Sequence, residues 1–170
     1  ASCLVGSEMC IRDRIKTEKL IFKGKQLKID AYEFSADENR VLIATEKESI
    51  YRRSWKAEHY IYDLSTNKIE KLSEGEKEMY ASFSPSGVKV AYVKANNLYF
   101  KDFRDGIEVQ VTKDGEENHI INGASDWVYE EELELSKAFE WSPNGNSLAF
   151  YRFDEGAVKQ WNMKMYDGLY

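Results

Sequence analysis

Three consecutive carboxylates, Glu130, Glu131 and Glu132, follow two large aromatics in the stretch Asp126-Trp127-Val128-Tyr129-Glu130-Glu131-Glu132-Leu133-Glu134-Leu135-Ser136. Carboxylates held close together repel one another unless a cation sits between them, so the run is a candidate site for an ammonium group or a metal. A metal would more usually bring His or Cys, or a third carboxylate from another segment, and no such set is in sight around the nearest histidine, His119. An ammonium ligand is the better match. The ordinary role of a glutamate run is a solvated helix face. The aromatic lead-in argues against it here, because Trp and Tyr favour burial and draw some of the carboxylates inward.

The element that must carry these residues is a helix. Trp127 to Leu135 holds good helix formers and neither Gly nor Pro. Ser125 or Asp126 can cap its start, and acidic residues suit the positive end of a helix dipole. On such a helix Trp127, Val128 and Glu131 share one side.

The rest of the chain reads as strands and turns. Tyr32-Glu33-Phe34-Ser35-Ala36-Asp37-Glu38-Asn39 leads into Val41-Leu42-Ile43-Ala44. Ala81-Ser82-Phe83-Ser84-Pro85-Ser86-Gly87 leads into Val88 to Tyr92, and Phe139-Glu140-Trp141-Ser142-Pro143-Asn144-Gly145 leads into Leu148 to Tyr151. The shared form is aromatic-Ser-Pro-x-Gly followed by an alternating strand, in which Pro presets φ and Gly accepts a positive one. Between these repeats lie further hairpins. Tyr60-Ile61-Tyr62-Asp63-Leu64 returns through Ser65-Thr66-Asn67 into Ile69 to Leu72, and Leu98 to Asp102 returns through Arg104-Asp105-Gly106 into Val109 to Thr112. Two hairpins make one four-stranded sheet, and sheets recurring at roughly 50 residues read as propeller blades. The expected fold is all-β, a partial β-propeller of about three four-stranded antiparallel blades with one short inserted helix. A β-sandwich is the alternative. The insert, Ile120 to Ser136, accounts for the longer second interval and places the glutamates on a loop, where function concentrates.

Composition narrows the partners. A net charge of −6 makes nucleic acid and anionic membranes poor ones. No apolar run approaches the roughly 18 residues that a membrane-spanning helix needs. Residues 1–14, ASCLVGSEMCIRDR, have neither a strand period nor a signal-peptide layout and read as a non-native leader, outside the domain at 15–170. Both cysteines, Cys3 and Cys10, lie inside it, so cysteine usage says nothing of redox compartment. A closed propeller needs more chain than three blades, and Trp161 to Tyr166 reads as a next strand. The expectation is a sequence cut at both ends.

Other candidates are weaker. Arg52 and Arg53, in Tyr51-Arg52-Arg53-Ser54-Trp55, read as solvated arginines at a strand end, or as donors to a carbonyl or carboxylate. His59 and His119 are expected at the surface or in turns, neither paired with a carboxylate. Asp154 and Glu155 are expected to begin a loop. Ser84 and Ser142 belong to turns and lack the Gly-x-Ser-x-Gly elbow of a nucleophile.

Trp127-Val128-Tyr129-Glu130-Glu131-Glu132, with Trp141-Ser142-Pro143-Asn144-Gly145, Leu148-Ala149-Phe150, Tyr51-Arg52-Arg53-Ser54-Trp55 and Tyr60 to Leu64, resembles the propeller domain of the dipeptidyl peptidase IV family, bacterial members above all. The likeness covers roughly Lys16 to Tyr170. It implies an eight-bladed propeller capping an α/β-hydrolase domain that is absent from this chain and carries the catalytic triad. It implies that Glu131 and Glu132 bind the free α-amine of a peptide substrate, and that Arg52, with Arg53 adjacent, contacts the carbonyl of the substrate's penultimate residue. The implied partners are peptides with a free N-terminus and the chain's own hydrolase domain, with a homodimer for the full-length protein. The resemblance also suggests export to the periplasm or cell surface. No cofactor and no catalytic residue are expected in this chain, which alone should hydrolyse nothing. Glu131 and Glu132, more than Glu130, are expected to face the inner opening. The alternatives are a non-catalytic propeller that binds peptides or protein partners, and a propeller that uses the acidic run for Ca²⁺.

Overall fold

The computed structural model describes Ile15 and residues 20–161. The expected leader and the strand expected beyond Trp161 lie outside the described residues. A short hairpin comes first, β1 (Ile21–Phe22) against β2 (Lys25–Gln26). The first blade follows: β3 (Ala31–Phe34), β4 (Arg40–Ser49), β5 (Trp55–Asp63) and β6 (Lys68–Lys71), antiparallel and in sequence order. The second repeats it with β7 (Met79–Phe83), β8 (Lys89–Lys94), β9 (Asn97–Asp102) and β10 (Ile107–Gln110). Next come β11 (Ile120–Asn122), helix α1 (Trp127–Leu133), the third repeat's hairpin β12 (Phe139–Trp141) and β13 (Leu148–Phe150), and β14 (Arg152–Asp154). Strand β14 pairs back onto β11. Asp154, expected to open a loop, instead closes this strand opposite Ile120.

Alternation along the strands explains why the sheets stack face to face. In β4, Val41 and Ile43 belong to one buried cluster with Ile15, Leu20 and Tyr62. Leu42, pointing the other way as successive strand residues must, joins Ile61, Leu72, Val90 and Tyr92. In β8, Val90 and Tyr92 look back to that cluster, while Ala91 and Val93 look forward to Leu98, Ala124 and Phe139. Each inner strand is therefore buried on both faces, one against each neighbouring sheet. The arrangement is a partial β-propeller, nearly all β.

The repeated turns set the blade-to-blade register. In each, a serine hydroxyl accepts the amide five residues on: Arg40 N–H to Ser35 Oγ at 2.9 Å, Lys89 N–H to Ser84 Oγ at 3.2 Å and Ser147 N–H to Ser142 Oγ at 2.9 Å. Gly87 sits at φ +69°, which favours glycine, and a Cβ there would press on Ser35 Cβ at 3.0 Å. Consecutive turns thus nest on one another. Arg40 donates from Nη1 to the Gly87 carbonyl at 3.2 Å, and Lys89 from Nζ to the Gly145 carbonyl at 3.3 Å.

Candidate functional site

Helix α1 forms as its sequence dictates. Asp126 is the N-cap, with its side chain accepting the Tyr129 amide at 2.8 Å. Glu134 closes the helix in the left-handed region at φ 57°, with its N–H on the Tyr129 carbonyl. The insert has a paired neck. Ser125 N–H meets the Ser136 carbonyl at 3.1 Å, Ala138 N–H meets that of Gly123 at 3.0 Å, and Ala124 bridges Lys137. Tyr129 packs edge-on against Phe153 of β14, with ring centroids 4.8 Å apart.

The expectation that the aromatics bury and draw the carboxylates after them is corrected. Trp127, Val128 and Tyr129 are all exposed, Trp127 at 55%. The buried residue of the helix is Glu130, at 1%. A buried carboxylate needs donors, and Glu130 has them in the loop between β4 and β5. Its Oε1 accepts the Arg53 amide at 2.7 Å and the Ser54 amide at 3.0 Å. Burial pushes its pKa up, but the Ser54 hydroxyl, these two amides and the Arg53 charge outweigh that and hold it below the usual value. Backbone donors, not aromatic packing, turn the helix inward.

The two arginines then separate by role. Arg53 spans the helix end, donating from Nη1 to the Glu130 carbonyl at 2.9 Å and from Nη2 to Glu134 Oε1 at 2.8 Å. A cation there answers the negative end of the dipole. Arg52 Nε lies 3.0 Å from Glu131 Oε2; the Arg52 side chain is 73% exposed and that of Glu131 17%. Glu132 is exposed, and its carboxylate makes no hydrogen bond or ion pair among the described residues. The structure therefore brings Glu131 and Arg52 together and leaves Glu132 one position further along the same helix. Asp126 and Glu155 add negative potential at the helix start. Burial raises the Glu155 carboxyl with Asp126 beside it, and burial raises the Tyr51 phenol among Glu155, Glu130 and Asp126.

Burial also pushes the phenol of Tyr80, on β7, up to about 12, with the Glu130 charge adding to the shift and the Ser54 and Ser136 hydroxyls opposing it.

His119 is exposed in a turn, as expected, but His59 is not at the surface. It is 2% exposed, and its Nδ1 lies 3.1 Å from Glu78 Oε2. Ser73 Oγ donates to the other Glu78 oxygen at 2.5 Å, so the carboxylate is satisfied from both sides. His59 lies on β5 where every second residue faces the core, a period the flanking Glu58 and Tyr60 obscure. His119 is exposed but pairs with Glu116 at 3.0 Å, and that hydrogen bond raises its pKa. Among the described residues no group of three or more His, Cys, Asp or Glu is placed to hold a metal ion, and no helix is long and apolar enough to cross a membrane.

The fold and the latched helix together define a propeller domain with a loop-borne acidic site. The chain belongs to the family described as the dipeptidyl peptidase IV N-terminal region, whose model matches residues 35–169. It is similar to prolyl endopeptidase FAP of Homo sapiens, 39% identical over 77% of this chain and 18% of that protein. It is also similar to dipeptidyl aminopeptidase B of Saccharomyces cerevisiae, 34% identical over 89% of this chain and 18% of that protein. Among solved structures, dipeptidyl peptidase 4 of Porphyromonas gingivalis matches with a TM-score of 0.80 and 46% identity, over 84% of this chain and 21% of that one. The chain thus spans about a fifth of the length of the relatives it matches.

Proposed function

We propose that this domain holds the free amino terminus of a peptide substrate for a serine peptidase that releases dipeptides, with Glu131 and Glu132 receiving the α-ammonium and Arg52 turning to the carbonyl of the penultimate residue. The observation that carries the reading is the Glu131–Arg52 pair beside the latched Glu130. Glu130 fixes the helix, so Glu131 and Glu132 are presented from a rigid base. The Arg52 partner is exposed, and an exposed ion pair contributes only about 0–1 kcal/mol, so an arriving ammonium displaces it at little cost. Charge-assisted hydrogen bonds to the ammonium then form in its place. An internal peptide segment brings no charge to offset the desolvation of these carboxylates, which gives selectivity for chain ends. Fixing the amine also fixes the scissile bond a set distance away, the positioning effect that a hydrolase domain would use. The class is supported by the family match and by similar proteins named dipeptidyl aminopeptidase, dipeptidyl peptidase and prolyl endopeptidase.

The test uses the full-length protein. Glu131→Gln or Glu132→Gln should lower kcat/KM on free-amine dipeptide amides by about 10–100-fold, the worth of one charged hydrogen bond. The same substrates blocked at the amine should hardly respond. Equal losses on both would remove the amine role.

A further inference from the structure

Arg52 stands at the tip of an arm that leaves its blade. Strand β3 pairs with β4 only as far as Ala44, and β6 pairs with β5 only as far as Tyr60. Among the described residues, the hairpin at 46–56 has no further strand paired along either side. Its root is bulged. Thr45 faces Glu58 and Glu48 faces Lys56, so Glu46 and Lys47 together stand against Ala57. Glu46 lies at φ +53°, uncommon for a residue with a side chain. A bulge bends its strand and adds twist, so this one sets the direction in which the arm departs. From Glu46 to Ile50 the arm extends about 13 Å at ~3.3 Å per residue, and a tilt of about 10° at the bulge carries the tip roughly 2 Å. One side chain spans the bulge. Lys77, in the loop between β6 and β7, donates from Nζ to the Glu46 carbonyl at 2.6 Å and to Glu48 Oε1 at 2.7 Å. The next residue, Glu78, pairs backbone to backbone with Ala57, opposite the bulge, through two bonds at 3.0 Å. Lys77 therefore acts from a base fixed to the same hairpin that it holds.

We propose that Lys77 is a positioning residue for substrate recognition, its ammonium holding the bulge between Glu46 and Glu48 at the angle that carries Arg52 to its place beside Glu131. This rests on the reading of Arg52 as the group that turns to the penultimate carbonyl. Lys77 touches none of the atoms assigned to substrate, and it sits at the opposite end of the arm. Glu130 latches the Arg53 and Ser54 amides and so fixes where the tip ends. With that end held, the bend at the root decides how the strand leading into Arg52 is turned. Asp30 adds a second hold at the root, accepting the Lys47 amide at 3.0 Å. The Lys77 side chain is 17% exposed and that of Glu48 52%, so the pair contributes little to stability. What it contributes is aim.

The experiment is a double-mutant cycle between Lys77→Met and Arg52→Ala in the full-length protein, with Glu131→Gln beside them. Methionine keeps much of the stem and removes the ammonium. In Lys77→Met, kcat/KM on dipeptide amides should fall about five- to tenfold, less than in Arg52→Ala, because a displaced group keeps part of its contact. Free-amine and amine-blocked substrates should fall alike, since both carry the penultimate carbonyl. In the Arg52→Ala background, Lys77→Met should lower kcat/KM no further. Lys77→Arg keeps a cation with donors for both acceptors and should retain more activity than Lys77→Met. Glu48→Gln weakens the same hold from a half-exposed position. It should lose activity in the same direction and the same background-dependent way, which keeps the test in force if Lys77→Met fails to fold. A loss of equal size in both backgrounds overturns the proposal, and so does a folded Lys77→Met with unaltered kcat/KM. If Arg52→Ala itself loses nothing, the reading of Arg52 fails and the role of Lys77 fails with it. The amine reading is then judged apart, by whether Glu131→Gln still discriminates the two substrate types.

Discussion

The carboxylate of Glu130 receives the backbone amide of Arg53 at 2.7 Å, although 77 residues separate them in the chain. One blade lies between the two in sequence, so the bond joins the loop of the first blade to an insert that follows the second. It decides where the neighbouring carboxylate and guanidinium stand.

Removing Glu130 should therefore act on stability first. Glu130→Ala leaves the Arg53 and Ser54 amides without their acceptor, which costs about 2–4 kcal/mol in all. The pH dependence follows from its lowered pKa. A carboxylate with a depressed folded-state value stabilises above its ordinary value of 4.5, and that contribution fades as pH falls through the folded-state value. Thermal melting of the full-length protein between pH 7 and pH 3, beside Glu130→Gln, measures it. The gap between the two proteins should narrow toward the acid end.

Arg52 and Arg53 should divide their effects. Arg53→Ala removes the bonds to the Glu130 carbonyl and to Glu134, so it should lower Tm. Arg52→Ala removes an exposed side chain and should leave Tm within a degree or two, consistent with the small worth of surface pairs. Its loss should fall on kcat/KM instead. Melting curves and kinetics on the same two variants check both, and a Tm loss in Arg52→Ala would reverse the assignment.

The buried triad of Ser73, Glu78 and His59 should behave as a structural pin between the first blade and the start of the second. Glu78→Ala leaves His59 and Ser73 without their shared partner and should cost about 3–5 kcal/mol, the range for breaking a buried pair. Chemical denaturation gives the value. Substrate discrimination in the folded fraction should be unchanged.

Expressed alone, this chain should not turn over a Gly-Pro chromogenic amide, since cleavage needs an activated nucleophile and an oxyanion hole. Turnover by the purified chain, abolished by a substitution within it, would relocate the active site.

Much of this was legible in the sequence. Ser-Pro-x-Gly turns and two-residue alternation gave the hairpins from Phe34 to Phe150, because those signals are local. The helix was legible for the same reason, from Asp126 through Leu133. What failed was nonlocal. Nothing near Glu130 in the chain hints at the Arg53 and Ser54 amides, so burial was credited to Trp127 and Tyr129. His59 looked polar and exposed because its carboxylate partner, Glu78, lies 19 residues further on, just before β7. The bulge at Tyr80 has no turn residue to mark it; Met79-Tyr80-Ala81 reads as plain strand.

The turn-to-turn contacts have a consequence for how such a chain could have grown. Arg40 carries the donor for the carbonyl of Gly87 in the next unit, and Lys89, five residues after its own turn serine as Arg40 is, carries it for Gly145. The second unit thus bears both halves of the joint: a carbonyl offered backward, that of Gly87, and a cation offered forward, that of Lys89. A tandem copy of one unit would inherit the joint complete, with no compensating change elsewhere. Ser147 holds the matching place in the third unit and has no cation to offer, so from there onward the inheritance must take another form.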